Sequence, residues 1–158
     1  MGRKIIKSLW NRQNLLDIND NFKELYEDIA SEKKIGLKIL TINGLRAFGD
    51  FERIVQSLSN LVDNAIKFSS QNSIIELSVL NKDNFIEFVV LDHGSGIAKE
   101  DLPLIWQRLY RGKESSKKFG LGLGLALVQA IAIAHNGSVS VSSVVNSGST
   151  FYFKIPSK

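Results

Sequence analysis

Residues 50–68 read DFERIVQSLSNLVDNAIKF, and two patterns run along them. Ile54, Leu58, Leu61 and Ala65 recur at helical spacing, which predicts an amphipathic helix starting near Asp50. Asn60, Asn64 and Lys67 stand at i, i+4 and i+7. At 100° per residue these three fall within roughly 60° of one another, about a quarter to a third of a turn from the apolar stripe. The helix therefore carries a face to bury and, beside it, a face of two amides and an ammonium. An amide oxygen can coordinate Mg²⁺ and an ammonium can neutralise a phosphate. Phe68 lies between the two faces, where its ring can pack on an aromatic base. A plain solvated helix face would also carry such residues. Asn is a poor helix former, however, so two of them one turn apart in mid-helix need a reason.

On the N-terminal side, residues 1–16 show weak periodicity and read as a linker or the end of a preceding helix, with the domain proper at 17–158. Phe22, Leu25, Tyr26 and Ile29 give a second helical stripe, with Asp20 or Asn21 as N-cap. A strand is expected over 36–42. On the C-terminal side, 74–80 and 85–91 read as strands joined by the polar turn Asn81-Lys82-Asp83-Asn84. The stretch 97–119 is irregular and charge-rich, with one short apolar piece at 102–109. An apolar helix follows from Gly124 to His135 and stops at Asn136-Gly137, and strands at 138–144 and 150–155 close the chain. Hairpins and helical crossovers both occur. The expected fold is thus an α/β (α+β) two-layer sandwich, a mixed sheet with helices packed on one face.

Composition narrows the function. The 158 residues fit one domain, and 44% apolar residues suffice for a core. There is no cysteine and there are only two histidines, which excludes disulfides and thiolate metal sites and disfavours zinc. No apolar run reaches the ~18 residues of a membrane span. A cytoplasmic setting is expected, with any membrane anchor elsewhere in a parent protein. The net charge of +4 is uneven, since Arg108, Arg111, Lys113, Lys117 and Lys118 crowd one stretch against Glu114. That suits either a solvated loop or one that meets phosphates. No aromatic-and-basic groove accompanies it, so no nucleic-acid partner is expected.

Three more motifs could carry chemistry. Asp92-His93-Gly94-Ser95-Gly96 follows an apolar strand. A carboxylate there can accept a hydrogen bond from an exocyclic amine, and the glycines leave room for a flat ligand. Gly120-Leu121-Gly122-Leu123-Gly124-Leu125 leads into the apolar helix, so backbone N–H groups and the helix dipole can face an anion. It matches neither the dinucleotide-binding glycine fingerprint nor a P-loop. Gly148-Ser149-Thr150 opens the last strand and reads equally well as a simple turn.

In order and spacing these motifs resemble those of the catalytic domain of bacterial sensor histidine kinases, a branch of the Bergerat-fold ATPases. Asn60 to Phe68 resembles the N box, Asp92 to Gly96 the first glycine box and Ile105 to Gly112 the F box that opens the ATP lid, here about 97–119. Gly120 to Gly124 resembles the second glycine box and Gly148 to Phe151 the last. The likeness covers about 20–156.

The resemblance implies ATP and Mg²⁺ as ligands. Asn64 would be the metal ligand, with Asn60 and Lys67 beside the phosphates. Phe68 would border the adenine. Asp92 would accept from its amino group, with Gly94, Gly96 and Ile97 lining that pocket and Thr150 supporting it. Tyr110 and Arg111 would meet the nucleotide from the lid, Arg111 at the γ-phosphate together with Arg108. Gly120, Leu121, Gly122, Leu123, Gly124 and Leu125 would wrap the phosphates. Asn60, Lys67, Arg108 and Arg111 would carry the catalytic electrostatics.

Trp106 and Leu109 stand where the F box usually has phenylalanine, and both are apolar enough to keep the lid docked. Related hydrolases carry a Glu one turn before the metal-binding Asn; here that place is Asn60, which is no base. His93 fills a variable position. His135 is expected to cap its helix, where positive charge is favoured. Neither histidine is followed by the acidic residue and proline of the family's phosphoacceptor helix. The resemblance thus implies a monomeric domain that phosphorylates a histidine on a separate dimerisation/phosphoacceptor domain, with a response regulator downstream.

Overall fold

The computed structural model describes residues 11–40, 46–112 and 122–157, with backbone only at 11–21, 46 and 48. In chain order the elements are β1 (Asn11–Asn14), α1 (Leu15–Glu32), β2 (Gly36–Leu40), β3 (Arg46–Gly49), α2 (Phe51–Phe68), β4 (Ile74–Lys82), β5 (Phe85–Asp92), α3 (Gly124–Ala134), β6 (Ser138–Val144) and β7 (Gly148–Pro156). Five strands form a sheet in the order β2-β4-β5-β7-β6. β2 and β4 are parallel, with β3 and α2 in the crossover, and the other pairs are antiparallel. The expected mixed two-layer sandwich is what forms.

Strand alternation sorts the sheet into two faces. Ile75, Leu77 and Val79 of β4, Ile86, Phe88 and Val90 of β5, and Phe151, Phe153 and Ile155 of β7 are all buried in one core with the helices. Phe88 and Phe153 are register partners whose rings lie 5.6 Å apart. Such a pair contributes roughly 0.5–1.5 kcal/mol beyond its area. On the open face, Glu87 is almost fully covered by Lys82 at 2.6 Å and Lys154 at 3.1 Å. Burial pushes the Glu87 carboxyl up, but the two ammonium groups outweigh it and hold the carboxyl below its ordinary value.

α2 begins where the sequence indicates. Asp50 caps it, its Oδ1 accepting from Arg53 N–H at 3.2 Å. Ile54, Leu58, Leu61 and Ala65 are buried as expected, joined by Val62 and Ile66.

Two differences concern the N-terminal part. Residues 11–14 are a strand, paired antiparallel with 46–49, rather than linker or helix. α1 then starts at Leu15, earlier than Asp20. The buried row of α1 is Phe22, Tyr26 and Ala30, while Leu25 and Ile29 of the expected stripe are 57% and 41% exposed. The helix is rotated toward its i+4 row, which stacks Phe22 on Tyr26 and brings the Tyr26 hydroxyl to Ser59 O at 3.4 Å. Burial pushes the Tyr26 phenol up to about 12.

His135 caps the C-terminus of α3 as expected, its backbone N–H donating to Ile131 O and Ala132 O at 3.1 Å. It is buried, with Nδ1 2.8 Å from Ile131 O and Nε2 accepting the Asp50 N–H at 3.0 Å. With Nε2 accepting, Nδ1 is the ring nitrogen left to donate to Ile131 O. Beyond His135 the helix end is completed by Asn136, at φ 55°, with Gly137 N–H donating to Ala132 O. His135 thus ties the end of α3 to the start of α2. Replacing it by leucine keeps volume but removes the acceptor of Asp50 N–H. We expect His135→Leu to lower unfolding free energy by about 1–2 kcal/mol in urea titrations; unchanged stability would show that the contact is dispensable.

Candidate functional site

A cavity of about 680 Å³ lies between the C-terminal half of α2, the end of β5, the 95–112 segment and the start of α3. Asn64, Lys67 and Phe68 line one side from α2. The i, i+3, i+4 spacing puts them together, and the Lys67 Nζ lies 5.1 Å from the Phe68 ring centroid, a cation–π arrangement. Asn60, one turn back, is not on the wall. It sits behind Gly124, where an added Cβ would stand 3.5 Å from Asn60 Oδ1.

Gly122, Leu123, Gly124 and Leu125 form the opposite side. The N-cap of α3 is Leu123, whose side chain makes no cap hydrogen bond. An apolar cap does not itself occupy the first N–H donors of the helix, which stand at the positive end of its dipole. Gly122 needs its left-handed φ of 71°, because its carbonyl turns to accept Leu109 N–H at 2.9 Å. Gly120 and Leu121 lie outside the described residues, as do 113–119 of the lid.

Asp92 marks the other end, at the tip of β5. It is only 5% exposed and lines the cavity, with Oδ1 accepting Gly94 N–H at 2.9 Å. Burial pushes its carboxyl above the ordinary value, against backbone hydrogen bonds from Gly94 and Ser149 and the nearby His93. Gly96 and Ile97 line the same end. Gly94 does not: it bridges to Ser69, and a Cβ on it would collide with the Phe68 carbonyl. Its lack of a side chain lets the end of α2 dock.

Thr150, expected at this end, is also not on the wall. Alternation along β7 turns it to the open face opposite Leu91, while Ser149 and Phe151 face the cavity. Counting back by twos from the buried Phe153 would have found Ser149. Val145 and Asn146 of the β6–β7 hairpin line the wall too, and no local motif announces them. Asn146 N–H donates to Ser95 O at 2.7 Å, and Ser143 Oγ accepts Ile97 N–H at 2.8 Å, so the hairpin is bonded to the glycine turn.

From the 105–112 segment, Ile105, Tyr110, Arg111 and Gly112 reach the wall, and Arg108 does not. Docking rests on Trp106, edge-on to Phe151 at 6.0 Å between centroids. The Leu109 side chain takes no part in it, being 67% exposed at φ 63°. The wall therefore brings together a buried acceptor beside glycines with an ammonium, an amide, a guanidinium and the first turn of α3.

Fold and cavity define an ATPase-type catalytic domain of the kind carried by histidine kinases. The chain belongs to the family described as histidine kinase-, DNA gyrase B-, and HSP90-like ATPase, whose model matches residues 49–158. The sensor-like histidine kinase SenX3 of Mycobacterium tuberculosis is 39% identical over 116 residues, 72% of this chain. The chain spans 28% of that protein's length. The solved catalytic domain of histidine kinase ThkA superposes with a TM-score of 0.83 at 27% identity, over 94% of this chain and 97% of that one. ThkA is also known in complex with a response regulator, TrrA, and there the TM-score is 0.78 at 25% identity, over 94% and 42%. Full-length ShkA, solved in complex with AMPPNP, matches at 0.82 and 27% identity over 93% and 31%.

The raised Asp92 pKa gives a linkage test. The native carboxylate takes up a proton more readily than the unfolded chain, so stability falls as pH rises from about 4 through the raised value. Asp92→Asn lacks this slope. Urea unfolding of both proteins at a series of pH values should show the wild type losing ground to the variant across that window; parallel profiles would contradict a perturbed Asp92.

Proposed function

We propose that the cavity binds MgATP and that the domain passes the γ-phosphoryl group to a histidine on a separate dimerisation/phosphoacceptor domain, with a response regulator downstream. The observation that carries this reading is the polarity of the cavity. A buried carboxylate at one end suits the amino group of adenine. The uncapped start of α3, with Lys67, Asn64 and Arg111, suits a polyphosphate at the other.

The residues also fit a metal that arrives with the phosphates. The Asn64 amide oxygen offers one hard donor, and Mg²⁺ takes few protein ligands when phosphate and water supply the rest. When bound, the ion would neutralise charge developing between the β- and γ-phosphates. The protein's own part is to hold the base through Asp92 and Phe68. Lys67 and the α3 N–H groups orient the phosphates, and Arg111 balances charge at the γ-phosphate. Asn60 supports the start of α3 from behind. No carboxylate stands one turn before Asn64 to activate water, so transfer to a histidine is favoured over hydrolysis. The domain acts as a monomeric cytoplasmic unit, and its parent carries the acceptor. Among the described residues, no helix is long and apolar enough to cross a membrane.

Calorimetric titration tests the reading. ATP with Mg²⁺ should bind near one to one and more weakly without the metal. Asp92→Ala should cost roughly 10- to 100-fold in affinity, the value of a hydrogen bond to a charged acceptor. GTP, which presents an acceptor where adenine presents a donor, should bind far less well. Equal affinity for ATP and GTP would remove Asp92 from base recognition.

A further inference from the structure

A carboxylate on the wall of a polyphosphate site repels the ligand, so Asp101 needs a reason to be there. It lines the cavity beside Tyr110 and Arg111. The Tyr110 hydroxyl donates to Asp101 Oδ1 at 2.7 Å, the length of a good O–H···O bond. Asp101 is itself a fixed point. Its N–H donates to Ala98 O at 3.0 Å, and its carbonyl accepts Leu104 N–H at 2.8 Å and Ile105 N–H at 3.1 Å. Leu109 is exposed in a left-handed conformation, and Arg111 is exposed. Leu109 N–H meets Gly122 O at 2.9 Å, and the Tyr110 carbonyl lies against Gly122. The backbone here thus rests on the start of α3, and the phenol joins it to the 98–105 segment. The carboxylate beside it, with burial as a lesser cause, raises the Tyr110 pKa, so the donor keeps its proton across the working pH range.

We propose that Asp101 is a positioning residue for phosphoryl transfer: by holding the Tyr110 hydroxyl it fixes the backbone from which Arg111 reaches the cavity. The proposal deepens the nucleotide reading above and rests on it. Asp101 touches no reacting atom. Its negative charge on the wall is tolerated because one oxygen is committed to Tyr110 and because the geometry it imposes benefits the phosphate end of the ligand.

The test is the affinity for MgATP and MgADP of the wild type, Asp101→Ala, Asp101→Asn, Tyr110→Phe and the double variant Asp101→Ala/Tyr110→Phe. Asp101→Ala and Tyr110→Phe should each weaken ATP by about 5- to 10-fold, less than the full worth of a charge-assisted hydrogen bond because the bond acts on the ligand only through Arg111. ADP, which lacks the γ-phosphate that Arg111 would meet, should be affected less. The double variant should be no weaker than the weaker single, as for two ends of one bond. Asp101→Asn, which keeps an acceptor, should recover part of the loss. Tighter ATP binding in Asp101→Ala and Asp101→Asn would mean that Asp101 only repels, and would overturn the proposal. So would losses that multiply in the double variant, or equal losses for ATP and ADP. Tyr110→Phe removes one surface hydroxyl, so it keeps the test valid even where Asp101→Ala unfolds. A wild type that binds neither nucleotide would sink the nucleotide reading and this proposal with it. A wild type that binds ATP, with variants indistinguishable from it, would sink this proposal alone.

Discussion

Asn64 and Ala65 are consecutive residues of one helix, and the 100° turn between them sends one to the cavity wall and the other into the core. The rest of the molecule depends on that angle. The core side of α2 must reach Leu77, Phe88 and Phe153 on the sheet, which fixes the helix in rotation. Once it is fixed, the residues a third of a turn away have no freedom in where they point. Lys67 is then carried to the face of Phe68, and both meet the cavity opposite the start of α3. The hydrophobic contact supplies the energy and the helical period supplies the geometry. An error of one residue in the apolar stripe would turn the amide and ammonium away from the cavity.

The other end of the site is held by the opposite economy of charge. Burying Asp92 disfavours its ionised form, and Gly94 and Ser149 compensate only in part, since the net shift remains upward. Glu87, on the other face of the same strand, shows what full compensation looks like: two lysines reverse the effect of burial. The same residue chemistry on one strand thus gives an ion pair on one face and, on the other, a carboxylate whose burial is only partly offset. Such a carboxylate is suited to take a further donor from a ligand. Stability is given up at Asp92 and kept at Glu87.

Periodicity made much of this legible. Asn64, Lys67, Phe68, Asp92 and the glycines before α3 were marked by spacing, because each sits at a fixed place on a regular element. Where the sequence misled, two periods or two uses of one residue competed. Thr150 and Ser149 are both small and polar, and only the alternation set by Phe153 decides which faces the cavity. Leu25 and Ile29 have the right spacing for burial, yet Ala30 takes the place, since the stacking of Phe22 on Tyr26 selects the i+4 row. Four-residue strands such as Asn11–Asn14 have no alternation to read. His135 and Asn146 work through partners 85 and about 50 residues away, a range that no local pattern encodes.

β7 is where these threads join. Ser149 pairs in register with Asp92 and donates its backbone N–H to the carboxylate. Two residues on, Phe151 meets Trp106, which anchors the segment bearing Tyr110 and Arg111. Two more residues on, Phe153 packs on Phe88 in the core. One strand face therefore spaces the Asp92 contact, the Trp106 contact and the core at steps of about 6.6 Å. A strand held by neighbours on both sides resists sliding, because a slip of one residue would turn all three side chains to the open face. The spacing between Asp92 and the Trp106 anchor of the 105–112 segment is thus set by the pitch of a central strand.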